Sequence, residues 1–216
     1  MNKHAALIIL SGGQDSTTAL YWSKKKFKLV KAVTFDYGQR HKREIGCARK
    51  IAKLAQVQHK VIKINFYKDL SSNALVTENA IKINKKNNLP STFVPGRNLI
   101  FINIAAAYAY EQGIPNLVLG VSQVDYSGYP DCREETIKSQ QKTISLGMEF
   151  PFVIHTPLIH KTKKETVELA RELGMLKMLK FTHTCYLGGK APCGKCPACL
   201  LRAKGFKDAG IKDPLL

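Results

Sequence analysis

The chain has 216 residues, 44% of them hydrophobic, which suits one domain, or one domain with a small appendage, around a sizeable buried core. No targeting segment precedes the first apolar strand and no apolar run approaches the roughly 20 residues of a membrane span, so we expect a cytoplasmic protein rather than a secreted or membrane protein. The net charge of +18 raises the question of a nucleic-acid partner, but the cations are spread along the chain without interleaved aromatic residues, so nucleic acid is not expected as the main partner.

Strand and helix patterns alternate along the chain. Apolar and β-branched runs predict strands at residues 5–10, 30–37, 61–66, 116–120 and 152–155. Apolar residues at helical spacing predict helices at residues 16–26, 42–54, 98–112, 133–146 and 162–173, the last opened by a capping box of Thr162 and Glu165. The polar stretch 67–95 is interpreted as a mobile insertion. The repeated order predicts an α/β fold with a doubly wound parallel sheet, whose ligands bind at the carboxyl ends of the strands.

Residues 7–18 combine an apolar strand, a glycine-rich turn and the beginning of a helix. Gly12 and Gly13 allow main-chain N-H groups to approach an anion closely. Ser11, Ser16 and Thr17 add hydroxyl groups at a helix N-terminus, where the helix dipole favours negative charge. The segment lacks the lysine at the end of the Walker A loop, so it predicts a phosphate-binding loop with a different nucleotide chemistry.

A cysteine cluster near the end of the chain predicts a metal site. The four cysteines have the spacing C-x7-C-x2-C-x2-C, and they are Cys185, Cys193, Cys196 and Cys199. Four thiolates form a closed tetrahedral zinc site, although the same spacing is compatible with an iron-sulfur cluster or with thiols that bind no metal. A closed zinc site would fold residues 181–216 and hold them on a domain of residues 1–180. Cys47 is interpreted as a small core residue, and Cys132 has no assigned role.

Three further loops belong to the same predicted edge of the sheet as the phosphate loop, at residues 35–41, 94–98 and 120–133. The run Ser-Gly-Gly-x-Asp-Ser of the phosphate loop resembles that of the PP-loop ATP pyrophosphatases, which release pyrophosphate while AMP is transferred to the substrate. Together with Asp-Tyr-Gly-Gln-Arg-His, Tyr-Pro-Asp-Cys-Arg and the four cysteines, it resembles the 7-cyano-7-deazaguanine synthase family of queuosine biosynthesis.

This resemblance implies a Rossmann-like fold of the adenine nucleotide alpha hydrolase type, with one structural zinc per chain and a homodimer. It implies that 7-carboxy-7-deazaguanine and ammonia are converted to the nitrile with ATP and Mg2+, through an adenylated carboxylate and an adenylated amide. A basic surface would also attract ATP. The residues that would bind ATP are Leu10, Ser11, Gly12, Gly13, Gln14, Asp15, Ser16, Thr17, Thr18, Ala19 and Leu20.

The resemblance also suggests roles for individual side chains. Asp131 would accept hydrogen bonds from N1-H and the exocyclic amine of the guanine-like ring, or it is only an acidic residue just before the helix that begins at Arg133. Arg97 and Arg133 would hold the substrate carboxylate or the α-phosphate, or they form ordinary surface ion pairs. Lys163 matches a lysine near the pyrophosphate in similar proteins, or it is solvated. Asp15 would orient Mg2+ or the loop, so the catalytic candidates are Asp15, Arg97 and Lys163.

Two other classes of function compete with this reading. A PP-loop tRNA-modifying enzyme of the thiolation type would use the cysteines for sulfur transfer or for an iron-sulfur cluster, and its substrate would suit the high basicity. A zinc-binding module without enzymatic activity would bind nucleic acid and use the phosphate loop only to sense nucleotide.

Overall fold

The computed structural model describes residues 1–39, 42–66, 93–124, 129–189 and 191–216. Its five described strands form one sheet in the order β3-β2-β1-β4-β5, and every strand pairs with its neighbours in parallel. The strands are β1 (Ala5–Ile9), β2 (Leu29–Asp36), β3 (Gln58–Lys63), β4 (Asn116–Val118) and β5 (Val153–His155). The predicted α/β fold with a parallel sheet is confirmed.

Six α-helices are described, together with two short 3-10 helices. The α-helices are α1 (Gln14–Lys26), α2 (Arg43–Leu54), α3 (Arg97–Glu111), α4 (Glu134–Gly147), α5 (Lys163–Glu172) and α6 (Pro197–Asp208). The 3-10 helices are Pro130–Cys132 and Leu176–Phe181. Within the described ranges, no helix has both the length and the apolar character needed to cross a membrane.

The central strand β1 is buried on both faces, because successive side chains of a strand point to opposite sides of the sheet. Leu7 packs in a core with α3 and α4, whereas Ile8 packs in a second core with α1 and α2, and both side chains are fully buried. Helices therefore cover both faces of the sheet. The strand order reverses between β1 and β4, which is the topological switch point where such sheets bind ligands.

One strand is misplaced and one helix is missed by the predictions from the sequence. The third strand was placed at residues 61–66, but it runs from Gln58 to Lys63, because this edge strand is only half covered and tolerates polar residues at its beginning. Helix α6 was not predicted, since its sequence has almost no amphipathic period and it begins inside the cysteine cluster. Most of the predicted insertion, residues 67–92, lies outside the described residues.

Helix α6 packs against α5 at a point where only glycine fits. A Cβ atom on Gly205 would lie 2.7 Å from Cβ of Lys163. Val167, Ala170 and Phe206 form a small core beside this contact. The last residues of the chain are fixed by a buried ion pair in which Arg202 Nε and Nη2 donate to the carboxylate of Asp213 at 2.6 and 2.8 Å.

We predict that this ion pair contributes strongly to stability. The side chains of Arg202 and Asp213 are only 4% and 5% exposed, so Asp213→Ala would leave a buried guanidinium without its counter-charge. Asp213→Ala should lower the free energy of unfolding, measured by urea denaturation, by about 3 to 5 kcal/mol. The control is Asp208→Ala, which breaks the exposed pair with Lys204 on α6 and should cost less than about 1 kcal/mol. Equal losses in both variants would contradict this account.

Candidate active site

A cavity of about 320 Å³ opens at the carboxyl ends of β1, β2 and β4. One end is formed by the phosphate loop, where Leu10, Ser11, Gly13, Gln14, Asp15 and Ser16 line the cavity. The cavity is also lined by residues that follow β2 and by residues of α2 and α3, which are Tyr37, Gln39, Glu44, Arg97, Asn98 and Phe101. Residues 183–186, which include the first cysteine of the cluster, Cys185, line the cavity as well. The loops predicted to share one edge of the sheet thus contribute to one cavity.

The phosphate loop is held between two neighbouring elements that approach its backbone closely. Gly12 has a φ of +87°, and a Cβ there would lie 2.3 Å from the carbonyl oxygen of Glu44 in α2. Gly120, just after β4, would place a Cβ 2.7 Å from the amide nitrogen of Ser16. Both positions require glycine, since the atoms in the way belong to backbone that cannot move aside.

Hydrogen bonds of serine and threonine hydroxyl groups stabilise the phosphate loop. Ser16 Oγ accepts from the amide of Ser11 at 3.2 Å, and the two serine hydroxyls lie 2.9 Å apart. Thr17 donates to the carbonyl of Gly13 at 2.7 Å. These bonds fix the beginning of α1, whose first N-H groups have no acceptor within the helix and favour an anion. Four of the predicted ATP-binding residues, Thr17, Thr18, Ala19 and Leu20, are fully buried in α1 and do not line the cavity.

Lys163 and Asp15 meet across the end of the loop. Lys163 Nζ lies 2.5 Å from Oδ2 of Asp15, and the lysine side chain is only 9% exposed. The capping box of Thr162 and Glu165 starts α5 at Lys163, as the sequence predicts, and so fixes the position of the lysine. The other oxygen of Asp15, Oδ1, is buried and has no hydrogen-bond partner among the described residues. A carboxylate oxygen in this state fits a site for Mg2+, which prefers oxygen ligands.

Gln14 is a buried carboxamide that the fold leaves unsatisfied. The residue is 2% exposed and lines the cavity. In the part of the chain that the structure describes, neither Nε2 nor Oε1 makes a hydrogen bond. A buried polar group in this state costs about 1 to 3 kcal/mol, which suggests that its partner is a ligand.

Arg97 is the first residue of α3, and it lines the cavity beside Tyr37. Its Cζ lies 5.9 Å from the centre of the Tyr37 ring. Burial alone would lower the pKa of Arg97, but Tyr37 and then Asp131 raise it above its ordinary value, so the guanidinium stays charged. Burial likewise raises the pKa of Tyr37 to about 12, which keeps the phenol neutral.

The other two predicted substrate residues do not line the cavity. Asp131 is 5% exposed, and its Oδ2 accepts from the amide of Asn98 at 3.0 Å, in the first turn of α3. Arg133 is exposed at the N-terminus of α4. Cys132, which has no role assigned from its sequence context, does line the cavity, and its Sγ accepts from Nδ2 of Asn98 at 3.2 Å.

Sequence reasoning missed a carboxylate on the wall of the cavity. Glu44 lies in the first turn of α2, and its Oε1 accepts from Nε2 of Gln39 at 3.0 Å. The sequence does place Glu44 shortly after the carboxyl end of β2, where ligands are expected, and this position is the signal that could have identified it.

The four cysteines of the cluster converge at one point. Their sulfur atoms all lie within 4.8 Å of one another, and Sγ of Cys193 lies 3.9 Å from Sγ of Cys199. Sulfur atoms around a tetrahedral zinc lie about 3.8 Å apart, because each Zn-S bond is about 2.3 Å long, so the geometry fits a metal. The segment that leads into the cluster contacts the phosphate loop, since the amide of His183 donates to the carbonyl of Gly12 at 2.9 Å.

Comparisons with known proteins show which family this chain resembles. The family model described as "Queuosine biosynthesis protein QueC" matches residues 5–210. A relative from Laribacter hongkongensis named 7-cyano-7-deazaguanine synthase is 52% identical over 214 residues, which cover 98% of this chain and 93% of the relative. A relative of the same name from Bacillus subtilis is 49% identical over 211 residues, covering 96% of each chain.

Solved structures resemble this chain in fold. A 4-thiouridine synthetase in a complex with RNA and ATP superposes with a TM-score of 0.53 at 19% identity, over 96% of this chain and 50% of that one. The NMN synthetase from Francisella tularensis gives a TM-score of 0.52 at 16% identity, over 97% of this chain and 74% of that one. At these identities the likeness supports the fold alone.

We predict that Gln14 does not stabilise the protein without a ligand. Gln14→Met should leave the free energy of unfolding unchanged, or raise it by up to about 1 kcal/mol, because it removes an unsatisfied buried amide. The matched variant is Gln39→Met, which removes bonds to the Phe35 carbonyl, the Tyr37 amide and Glu44, and it should cost about 1 to 3 kcal/mol. Urea denaturation measures both, and a loss in Gln14→Met equal to that in Gln39→Met would show that Gln14 has a partner within the fold.

Proposed function

The chain belongs to the QueC family of queuosine biosynthesis proteins, and from this membership we infer that it converts 7-carboxy-7-deazaguanine and ammonia to 7-cyano-7-deazaguanine with ATP. It is an ATP-dependent carbon-nitrogen ligase. The observation that carries this function is the match over nearly the whole chain to relatives of that name. The cavity supports this function, because it is lined both by a phosphate loop without a Walker lysine and by the aromatic residues Phe35, Tyr37 and Phe101, which suit a small heterocycle.

The reaction needs activation because a carboxylate is a poor electrophile. Transfer of AMP from ATP to the carboxylate oxygen gives a mixed anhydride and releases pyrophosphate. Ammonia then attacks the acyl carbon, and AMP leaves as the amide forms. A second AMP transfer, to the amide oxygen, makes that oxygen a leaving group, and loss of AMP with the amide protons gives the nitrile.

The residues of this chain would assist AMP transfer by binding the charged groups of ATP and of the substrate. The phosphate loop and the first turn of α1 would hold the β,γ-pyrophosphate. Lys163 would neutralise the charge that develops on the pyrophosphate, and Arg97 would hold the substrate carboxylate or the α-phosphate. Asp15, through its unsatisfied Oδ1, would hold Mg2+, which would withdraw negative charge from the phosphates.

The two competing functions are not favoured. The relatives at about 50% identity are named as synthases of 7-cyano-7-deazaguanine and not as thiolation enzymes or nucleic-acid modules. We also propose that ammonia is used directly, that the protein acts in the cytoplasm and that it forms a homodimer. The resemblance to the family is the support for these last statements.

We predict AMP and pyrophosphate as the nucleotide products when the protein is incubated with ATP, Mg2+, ammonium and 7-carboxy-7-deazaguanine. Ser11→Ala and Asp15→Ala should each lower kcat by about a hundredfold or more, because each alters the loop that holds the transferred charge. The control is Ser23→Ala, which removes a comparable bond to the Ala19 carbonyl in α1, away from the cavity, and should keep its activity. Chromatography of the nucleotides measures the products, and ADP with phosphate as primary products would contradict the mechanism.

We propose that the metal of the cysteine cluster is zinc and that it holds residues 181–216 in place on the ATP-binding part. Elemental analysis should then find about one zinc per chain. Cys196→Ser should lose the zinc and much of the stability, because apparent zinc binding is worth on the order of 10 kcal/mol in small sites. Thermal unfolding with and without a chelator measures the effect, and Cys47→Ser, outside the cluster, is the control. Stoichiometric iron, or stable protein without metal, would overturn the assignment.

A further inference from the structure

A guanine-like ring presents two adjacent donors, N1-H and the exocyclic amine, and a carboxylate is the side chain that accepts both in parallel. The cavity has to supply that carboxylate if the proposed function is right. Asp131 does not line the cavity, and its Oδ2 accepts a hydrogen bond from the amide of Asn98. Among the described residues, the carboxylates that do line the cavity are those of Asp15 and Glu44.

These two carboxylates belong to different elements and have different partners. Asp15 is part of the phosphate loop and is paired with Lys163. Glu44 belongs to α2, whose backbone packs against Gly12, and it lines the cavity beside Gln39. Its Oε1 accepts one hydrogen bond, from Gln39, and no hydrogen bond to its Oε2 is found within the described residues.

Gln39 fixes the direction of this carboxylate. Its Oε1 accepts from the amide of Tyr37 at 2.9 Å, and its Nε2 donates to the carbonyl of Phe35 at 3.2 Å as well as to Glu44. Both ends of the amide are therefore used, and the amide cannot turn over without losing these bonds. A carboxylate held by such a partner is already oriented before a ligand arrives.

The wall beside Glu44 suits a flat ring. Phe35 and Phe101 are stacked with their ring centres 4.5 Å apart, and both line the cavity together with Tyr37. Burial raises the pKa of Glu44, while the bond from Gln39 and the charge of Arg97 lower it and compensate only in part. A ligand that brings two N-H donors would therefore stabilise the charged form of this carboxylate.

We propose that Glu44, oriented by Gln39, accepts the hydrogen bonds of N1-H and the exocyclic amine of the deazaguanine ring and so determines which heterocycle is bound; this rests on the proposed function. The same carboxylate would reject adenine at this position, because adenine presents an acceptor, N1, next to its amine. Glu44 thus distinguishes the two heterocycles that the enzyme holds at once, the deazaguanine and ATP.

The test compares two ligands in two proteins by calorimetry. The ligands are 7-carboxy-7-deazaguanine and 7-carboxy-7-deazahypoxanthine, which lacks the exocyclic amine. The wild type should prefer the amino compound by about tenfold or more, since each lost bond to a carboxylate is worth about that factor. Glu44→Gln, which points an N-H group at the ligand's donors, should bind the amino compound about tenfold more weakly or worse and lose most of the preference.

Three controls make the outcome decisive. Glu111→Gln, an exposed change in the last turn of α3, should bind like the wild type. ATP binding and thermal unfolding of Glu44→Gln should stay near the wild-type values, because an amide oxygen can still accept from Gln39. Asp131→Asn tests the rival assignment: loss of the preference there, with Glu44→Gln unchanged, would return the role to Asp131.

A failure of the Glu44 proposal and a failure of the proposed function give different results. If the wild type binds 7-carboxy-7-deazaguanine and Glu44→Gln keeps the full preference, the role of Glu44 is wrong and the proposed function stands. If the wild type binds neither ligand, the proposed function itself is wrong.

Discussion

The close packing around Gly12 is the constraint on which the rest of the site depends. The backbone of α2 approaches this residue so closely that a Cβ would touch the Glu44 carbonyl, and the Gly12 carbonyl accepts from the amide of His183. The phosphate loop is therefore in contact with both the helix that follows β2 and the segment that leads into the cysteine cluster. Gly12 is thus the residue at which the phosphate loop, α2 and the segment before the cysteine cluster pack together.

Charge in the site follows the same geometry. Asp15, Glu44 and Arg97 line the cavity, and Lys163 is paired with Asp15, so the charged groups in and beside the cavity are two cations and two carboxylates. This set suits a substrate pair in which ATP is strongly anionic and the heterocycle is a neutral donor with one carboxylate attached. In the proposed function, the cations would bind the phosphates and the substrate carboxylate, and the free carboxylate oxygens would bind Mg2+ and the ring.

The sequence predicted the features that depend on local chemistry. The phosphate loop, the capping box before Lys163 and the convergence of the cysteines all follow from short spacings, and the structure bears out their positions. The beginning of β3 and helix α6 were missed, because edge pairing and docking onto α5 are decided by tertiary contacts. That Glu44 lines the cavity and Asp131 does not has the same origin: which carboxylate reaches a cavity depends on how α2 and α3 pack, and spacing alone does not reveal it.

The contact at Gly205 links the cysteine cluster to the ion pair at the phosphate loop. Helix α6 carries Cys199 in its first turn and, at Gly205, packs against Lys163, the residue that supplies the ammonium group to Asp15. A side chain at position 205 would meet Cβ and the backbone of Lys163, so it would displace the lysine that is paired with the loop. The helix that carries the cysteine thus acts as a spacer that sets how far the ammonium group reaches toward the phosphate loop.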